Sequence, residues 1–175
     1  ETAFSRANAV YDTTIGWRFV NPRMKATFGV DSMPQTADNV AADFNVSRED
    51  QDAFALRSQQ RWAKAHAAGL FKDEIVPVSI PQKKGDPIVV DTDEHPRPDA
   101  SAAQLAKLSG VNGKELSVTA GNASGVNDGA AALLVLNEKA AKAQGLTPKA
   151  RIVAMAAAGV EPRIMGVGPT PATRK

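Results

Sequence analysis

The residues with most chemical promise are those of VTAGNASGVNDGAAA at 118–132. Small residues, single hydroxyls and amides follow one another there. A segment of that composition sets backbone amides and small side chains against an extended ligand. The chain has no cysteine, so it offers no thiolate nucleophile, no disulfide and no thiolate metal site. Its two histidines, His66 and His95, fall in a helix-patterned run of alanines and in a proline-flanked loop. Neither is accompanied by a thiol or by a serine and acid arrangement, so no catalytic residue and no metal ligand is assigned. Gly121, Gly125 and Gly129 suit close packing rather than a phosphate cradle, because no G-x-G-x-x-G follows a strand.

The elements that must position this segment are legible in part. Thr36 precedes the apolar-periodic Ala37, Val40, Ala41 and Phe44, which predicts a short helix capped by the threonine and ending near Asn45. Ser47 with Asp50 three residues on has the form of a capping box, and a long helix should follow until Gly69 stops it near Ala68. The β-branched runs 75–80 and 88–90 read as paired strands joined by a solvated turn at Lys83, Lys84, Gly85 and Asp86, with Pro77 and Pro87 at their ends. A polar loop at 91–98 leads to a short helix at 101–108 begun by Ser101. The apolar run 130–136 predicts a strand covered on both faces, Asn137 caps a helix over 138–144 closed by Gly145, and 151–157 predicts another strand. That order implies a βαβ unit in a parallel sheet, hence an α/β class, followed by a turn-rich tail. The first 32 residues are irregular in pattern, with Asn21-Pro22 as a turn or helix-start signal and with Trp17 and Phe19 expected against a neighbouring layer.

At 175 residues, with 43% hydrophobic and 23% charged residues, the chain is long enough for one domain with a core. No apolar run approaches the ~20 residues that cross a bilayer. A net charge of +2, without a basic stripe or interleaved aromatics, gives nucleic-acid binding no support. Nothing resembles a signal peptide, so a cytoplasmic setting is expected. The chain opens on Glu1, Thr2 and Ala3, which suggests processing or excision from a longer polypeptide.

Several words in fixed order resemble the thiolase family: SMPQTADNVA at 32–41, SREDQDAFA at 47–55, EIVPV at 74–78, KGD at 84–86, DEHPR at 93–97, TAGNASGVNDGA at 119–130 and GVGP at 166–169. The resemblance runs essentially end to end. DTTIGWRFVNP at 12–22 is similar to the thiolases that act on 3-oxoadipyl-CoA. The resemblance implies a partial thiolase fold: most of the loop domain at 1–116, the last part of the N-terminal half at 117–149 and the start of the C-terminal half at 150–175. It also places the family's nucleophilic cysteine, catalytic histidine and second cysteine outside the chain.

What the resemblance implies for the site is a wall for coenzyme A, bound as substrate without a covalently held cofactor. Ala120 and Ser124 match the alanine and serine that line the pantetheine, Met33 matches a methionine beside the acyl channel, and Arg97 matches an arginine near the nucleotide. Each has a plainer role: a turn hydroxyl for Ser124, core filler for Met33, a solvated cation for Arg97. In a 3-oxoadipyl-CoA enzyme the terminal carboxylate of the substrate needs a cation, and Arg18 between Trp17 and Phe19 is a speculative candidate. The expected partners are CoA, acyl-CoA, the remainder of the thiolase and further copies in a dimer or tetramer. The expected function is that of a portion of an acyl-CoA C-acyltransferase, inactive alone. The alternatives are a noncatalytic CoA or acyl-CoA binding or assembly module, or a folded piece with no function of its own.

Overall fold

Local side-chain caps account for most of the helices. The computed structural model describes residue 10 and residues 16–175; the first four residues of the word at 12–22 lie outside them. In α1, Pro22–Phe28, Asn21 Oδ1 accepts from the amides of Arg23 at 2.9 Å and Met24 at 3.3 Å, and proline occupies the first turn, where its missing N–H costs nothing. α2, Met33–Asp43, starts earlier than Thr36 predicts. Ser32 and Gln35 form a capping box, with the Ser32 amide donating to Gln35 Oε1 at 2.7 Å. Thr36 thus falls inside the helix, and its hydroxyl donates back to the Met33 carbonyl at 2.8 Å.

The long helix is found where it is expected. α3, Arg48–Ala67, begins with Ser47 Oγ accepting from the Asp50 amide at 3.1 Å. It ends at Gly69, whose φ of 69° is the left-handed conformation that glycine adopts without steric cost. β1, Val78–Ile80, and β2, Ile88–Val90, pair antiparallel with Val78 opposite Val90 and Ile80 opposite Ile88. Gly85 in their connection has φ 86°. α4, Ala102–Leu105, carries a second capping box made by Ser101 and Gln104. α5, Glu138–Ala143, is capped by Asn137 Oδ1, which accepts from the Ala140 amide at 2.8 Å.

Packing divides the chain into two units. One is Asp31–Gly125; the other is the described part of Glu1–Val30 with Val126–Lys175. In the first unit α3 packs on α4, and the buried apolar side chains Leu105 and Val118 lie beside the fully buried Thr119. This small core, with Ala141 in the other unit, is all that the described residues bury of apolar side chains.

The second unit departs from expectation. Among the described residues, 130–136 and 151–157 join no ladder, and Leu133, Leu134, Val153 and Met155 are all exposed. Among the described residues the parallel sheet of the expected βαβ unit is therefore not formed. An apolar strand is covered only when other strands and helices lie along it, and no described segment takes those places. Trp17 and Phe19, expected against a neighbouring layer, are 52% and 83% exposed. The tail is helical instead of turn-rich: a 3-10 segment at Pro162–Val167 precedes α6, Pro169–Arg174, and Pro162 and Pro169 occupy first positions that proline tolerates.

Candidate functional site

Two helices hold the segment that carries Ala120 and Ser124. From α2, buried Asp38 extends a carboxylate to that segment. Its Oδ1 accepts from the Ser117 amide at 3.0 Å, the Val118 amide at 3.0 Å and the Ser117 hydroxyl at 3.2 Å. Its Oδ2 accepts from Asn112 Nδ2 at 2.7 Å. Two consecutive backbone amides thus converge on one anion, which satisfies donors that would otherwise be buried without a partner.

α3 grips the same segment from its first two turns. Arg48 Nε donates to Asp52 Oδ2 at 2.8 Å, and Asn122 Nδ2 donates to Asp52 Oδ1 at 2.9 Å and to the Ser117 carbonyl at 2.9 Å. Gln51 Nε2 reaches Ser117 Oγ at 2.9 Å. Arg48 Nη2 also donates to the carbonyls of Leu105, the last residue of α4, at 2.7 Å and of Leu108, just past that helix, at 3.0 Å. Residues 48, 51 and 52 share one helix face, so a single face binds both strands of the loop.

Within the loop, Asn122 Oδ1 accepts from the Thr119 amide at 2.8 Å, and the Ala123 amide donates to the Thr119 carbonyl at 3.0 Å. The resulting turn leaves Thr119 fully buried while Ala120 and Ser124 are exposed. At Gly121 a Cβ would come within 2.5 Å of Leu105 Cδ2 and of Leu108 Cδ1. Here the close packing expected of the glycines is present. At Gly129 nothing lies within 4 Å of an added Cβ.

Met33 is the first residue of α2 and is 65% exposed, so it is not core filler; Asp38 of the same helix makes the tie to the loop. Arg97 is exposed, but its Nη1 is engaged by the carbonyls of Glu94 at 2.8 Å, His95 at 2.8 Å and Pro96 at 3.1 Å. Its backbone amide donates to Gln59 Oε1 of α3 at 2.7 Å. Met33, Arg97, Ala120 and Ser124 all belong to the Asp31–Gly125 unit, whereas Arg18 belongs to the other. His66 is stacked on Trp62 with ring centroids 4.7 Å apart. It lines an open cavity of about 310 Å³ with Phe71, Lys72, Ile75 and Asp91, and none of the four candidates is part of that lining.

Sequence reasoning missed Asp38, Asp52 and Asn122. The signal for the first two was a carboxylate on the inward face of each helix: Asp38 lies between Ala37 and Val40, and Asp52 lies four residues after Arg48.

The family described as thiolase, N-terminal domain, matches residues 5–139. The chain is 63% identical over 175 residues to the beta-ketoadipyl-CoA thiolase of Pseudomonas aeruginosa, covering 100% of this chain and 43% of that one. It is 60% identical over 174 residues to the 3-oxoadipyl-CoA/3-oxo-5,6-dehydrosuberyl-CoA thiolase of Escherichia coli K12, covering 99% and 43%. Among solved structures, the Bacillus anthracis acetyl-CoA acetyltransferase superposes with a TM-score of 0.75 at 48% identity, covering 83% of this chain and 36% of that one. Human mitochondrial 3-ketoacyl-CoA thiolase in complex with CoA superposes with a TM-score of 0.72 at 45% identity, covering 83% and 35%. The chain spans less than half the length of these relatives and carries a corresponding part of their α/β fold. By sequence and by fold, it belongs to the thiolase family.

Proposed function

We propose that the chain is the central portion of an acyl-CoA C-acyltransferase that cleaves 3-oxoadipyl-CoA with CoA to succinyl-CoA and acetyl-CoA, and that it supplies CoA-binding surface to that enzyme. The observation that carries this reading is the loop held by Asp38 and Asp52, which buries Thr119 and leaves Ala120 and Ser124 open to a ligand. The 63% identity to a beta-ketoadipyl-CoA thiolase supports the acyl group. In this reading, residues 1–116 are most of the loop domain, 117–149 close the N-terminal half and 150–175 open the C-terminal half.

The chemistry asked of the whole enzyme is nucleophilic. A cysteine thiolate adds to the C3 ketone, the C2–C3 bond breaks, C2 takes a proton and leaves as acetyl-CoA, and the succinyl group stays as a thioester until the thiol of a second CoA removes it. With no cysteine in the chain, the bond-making groups belong to further polypeptide. The part left to this chain is to hold the pantetheine with apolar walls and a few polar contacts. Met33 lies beside the acyl end, Ser124 donates to an amide of the arm, and the guanidinium of Arg97 faces the nucleotide. Arg18 meets the terminal carboxylate. The working enzyme is a dimer or tetramer.

Kinetics on the polypeptide encoded by the complete reading frame test this. Ser124→Ala is expected to raise KM for CoA about fivefold, the worth of one hydrogen bond of ~1 kcal/mol. Arg18→Ala is expected to lower the preference for 3-oxoadipyl-CoA over acetoacetyl-CoA while leaving turnover of the simpler ester intact. Unchanged constants for Ser124→Ala would refute the CoA surface, and unchanged preference would remove Arg18. Thiolysis by these 175 residues alone would overturn the assignment of the chemistry to other polypeptide. A noncatalytic binding module would instead titrate with CoA while its complete reading frame showed no thiolysis.

A further inference from the structure

We infer that Asp38 and Asp52 are positioning residues for coenzyme A: two carboxylates from different helices fix the backbone from which Ala120 and Ser124 project. The inference rests on the reading of that loop as CoA surface and adds how its shape is set.

Neither carboxylate is placed to touch a ligand, since both are buried and already hydrogen-bonded within the protein. Asp38 Oδ1 holds the amides of Ser117 and Val118, each at 3.0 Å, at the entry to the loop. Asp52 Oδ1 holds Asn122 Nδ2 at 2.9 Å, and Asn122 Oδ1 in turn holds the Thr119 amide at 2.8 Å. The loop is thereby fastened on both sides of Ala120 and just before Ser124. Gly121 lies against Leu105 and Leu108, whose carbonyls are bound by Arg48, the ion-pair partner of Asp52. One connected set of contacts therefore sets both the height of the loop and its lateral position. A packed network of this kind has few alternative arrangements, so losing one anchor displaces the ligand-facing atoms rather than only loosening them.

The experiment is a double-mutant cycle on the polypeptide encoded by the complete reading frame, with folding of each variant checked by near-UV circular dichroism. Asp38→Ala strips the acceptor from two amides and is expected to raise KM for CoA about fourfold, within the effect of the Ser124 contact through which it acts, with kcat within about twofold, the signature of lost uniform binding. Asp38→Asn, which keeps one acceptor oxygen for the same amides, is expected to restore most of the loss. In a Ser124→Ala background Asp38→Ala should add less than twofold, because its effect passes through the group already removed. If Asp38→Ala does not fold, Asn122→Ala leaves Asp38 in place, removes the tether to Asp52 together with the bonds to the Ser117 carbonyl and the Thr119 amide, and should raise KM in the same way. A rise in KM for Ser124→Ala with none for folded Asp38→Ala or Asn122→Ala overturns the positioning role alone. An unchanged KM for Ser124→Ala overturns the CoA reading itself. A full, additive Asp38 effect in the Ser124→Ala background shows a general structural role and overturns the inference.

Discussion

Thr119 and Ala120 are neighbours with opposite fates, one fully buried and one exposed. The division is set by a few atoms: Asn122 Oδ1 on the Thr119 amide, and the absence of a side chain at Gly121. A methyl group at Gly121 would have to displace Leu105 Cδ2 and Leu108 Cδ1, each 2.5 Å from its position. Because those atoms end rotatable side chains, Gly121→Ala should cost about 1 kcal/mol, at the low end for overpacking. Urea unfolding measures this, and Gly121→Ala combined with Leu108→Ala should show a positive coupling as the space is returned. If the methyl group fits without loss, the packing of α4 against the loop is looser than these distances state. At this scale sequence reasoning was uneven, for a physical reason. Ser47, Ser101 and Asn137 announce themselves because each caps amides within three residues. Asp38 and Asp52 did not, because the loop atoms they bind lie 70 to 80 residues away. Ala120 and Ser124 are candidates through resemblance alone, since nothing in an alanine or a serine by itself marks a binding surface.

Among the elements, α5 offers a test by pH. Glu138 stands at its first position, with Lys142 Nζ at 2.8 Å from Oε1 and Arg151 Nη2 at 3.3 Å from Oε2. The ammonium of Lys142, and after it the guanidinium of Arg151, hold the carboxyl of Glu138 below the usual carboxylate range, against a small opposing effect of desolvation. A carboxyl with a lower pKa in the folded chain than in the unfolded chain adds stability above its unfolded pKa. That contribution is lost as pH falls through the folded value. The Glu138 side-chain carbon followed by NMR should therefore titrate below an unstructured glutamate, and Lys142→Met should move the midpoint up more than Arg151→Met. A midpoint at or above that of the unstructured residue would dissolve the pairing. The elements also show where periodicity reaches its limit. α3 was legible because its caps and spacing are its own, whereas the apolar runs at 130–136 and 151–157 carry a strand pattern that needs neighbours to become a strand.

For the molecule as a whole, those two runs govern behaviour in water. Leu133, Leu134, Val153 and Met155 are exposed, and exposed apolar runs of this kind seek other surfaces. The chain on its own should take up a hydrophobic dye and sediment with a weight that rises with concentration, and Val153→Lys should reduce both effects. A dye-silent monomer over the same range would show that the runs are covered in solution. The unit at Asp31–Gly125 has a different constraint, visible in the reach of its ties. Arg48 bonds carbonyls 57 and 60 residues further on, and Asp38 bonds an amide 80 residues on. Contacts so distant along the chain require closing a long loop before they return any energy, which slows folding. During synthesis the two helices emerge and can coil well before Asn122 exists. Within this unit the loop around Thr119 is then the last piece to be seated, and a nascent chain interrupted before that residue would hold a finished α3 with nothing in its grip.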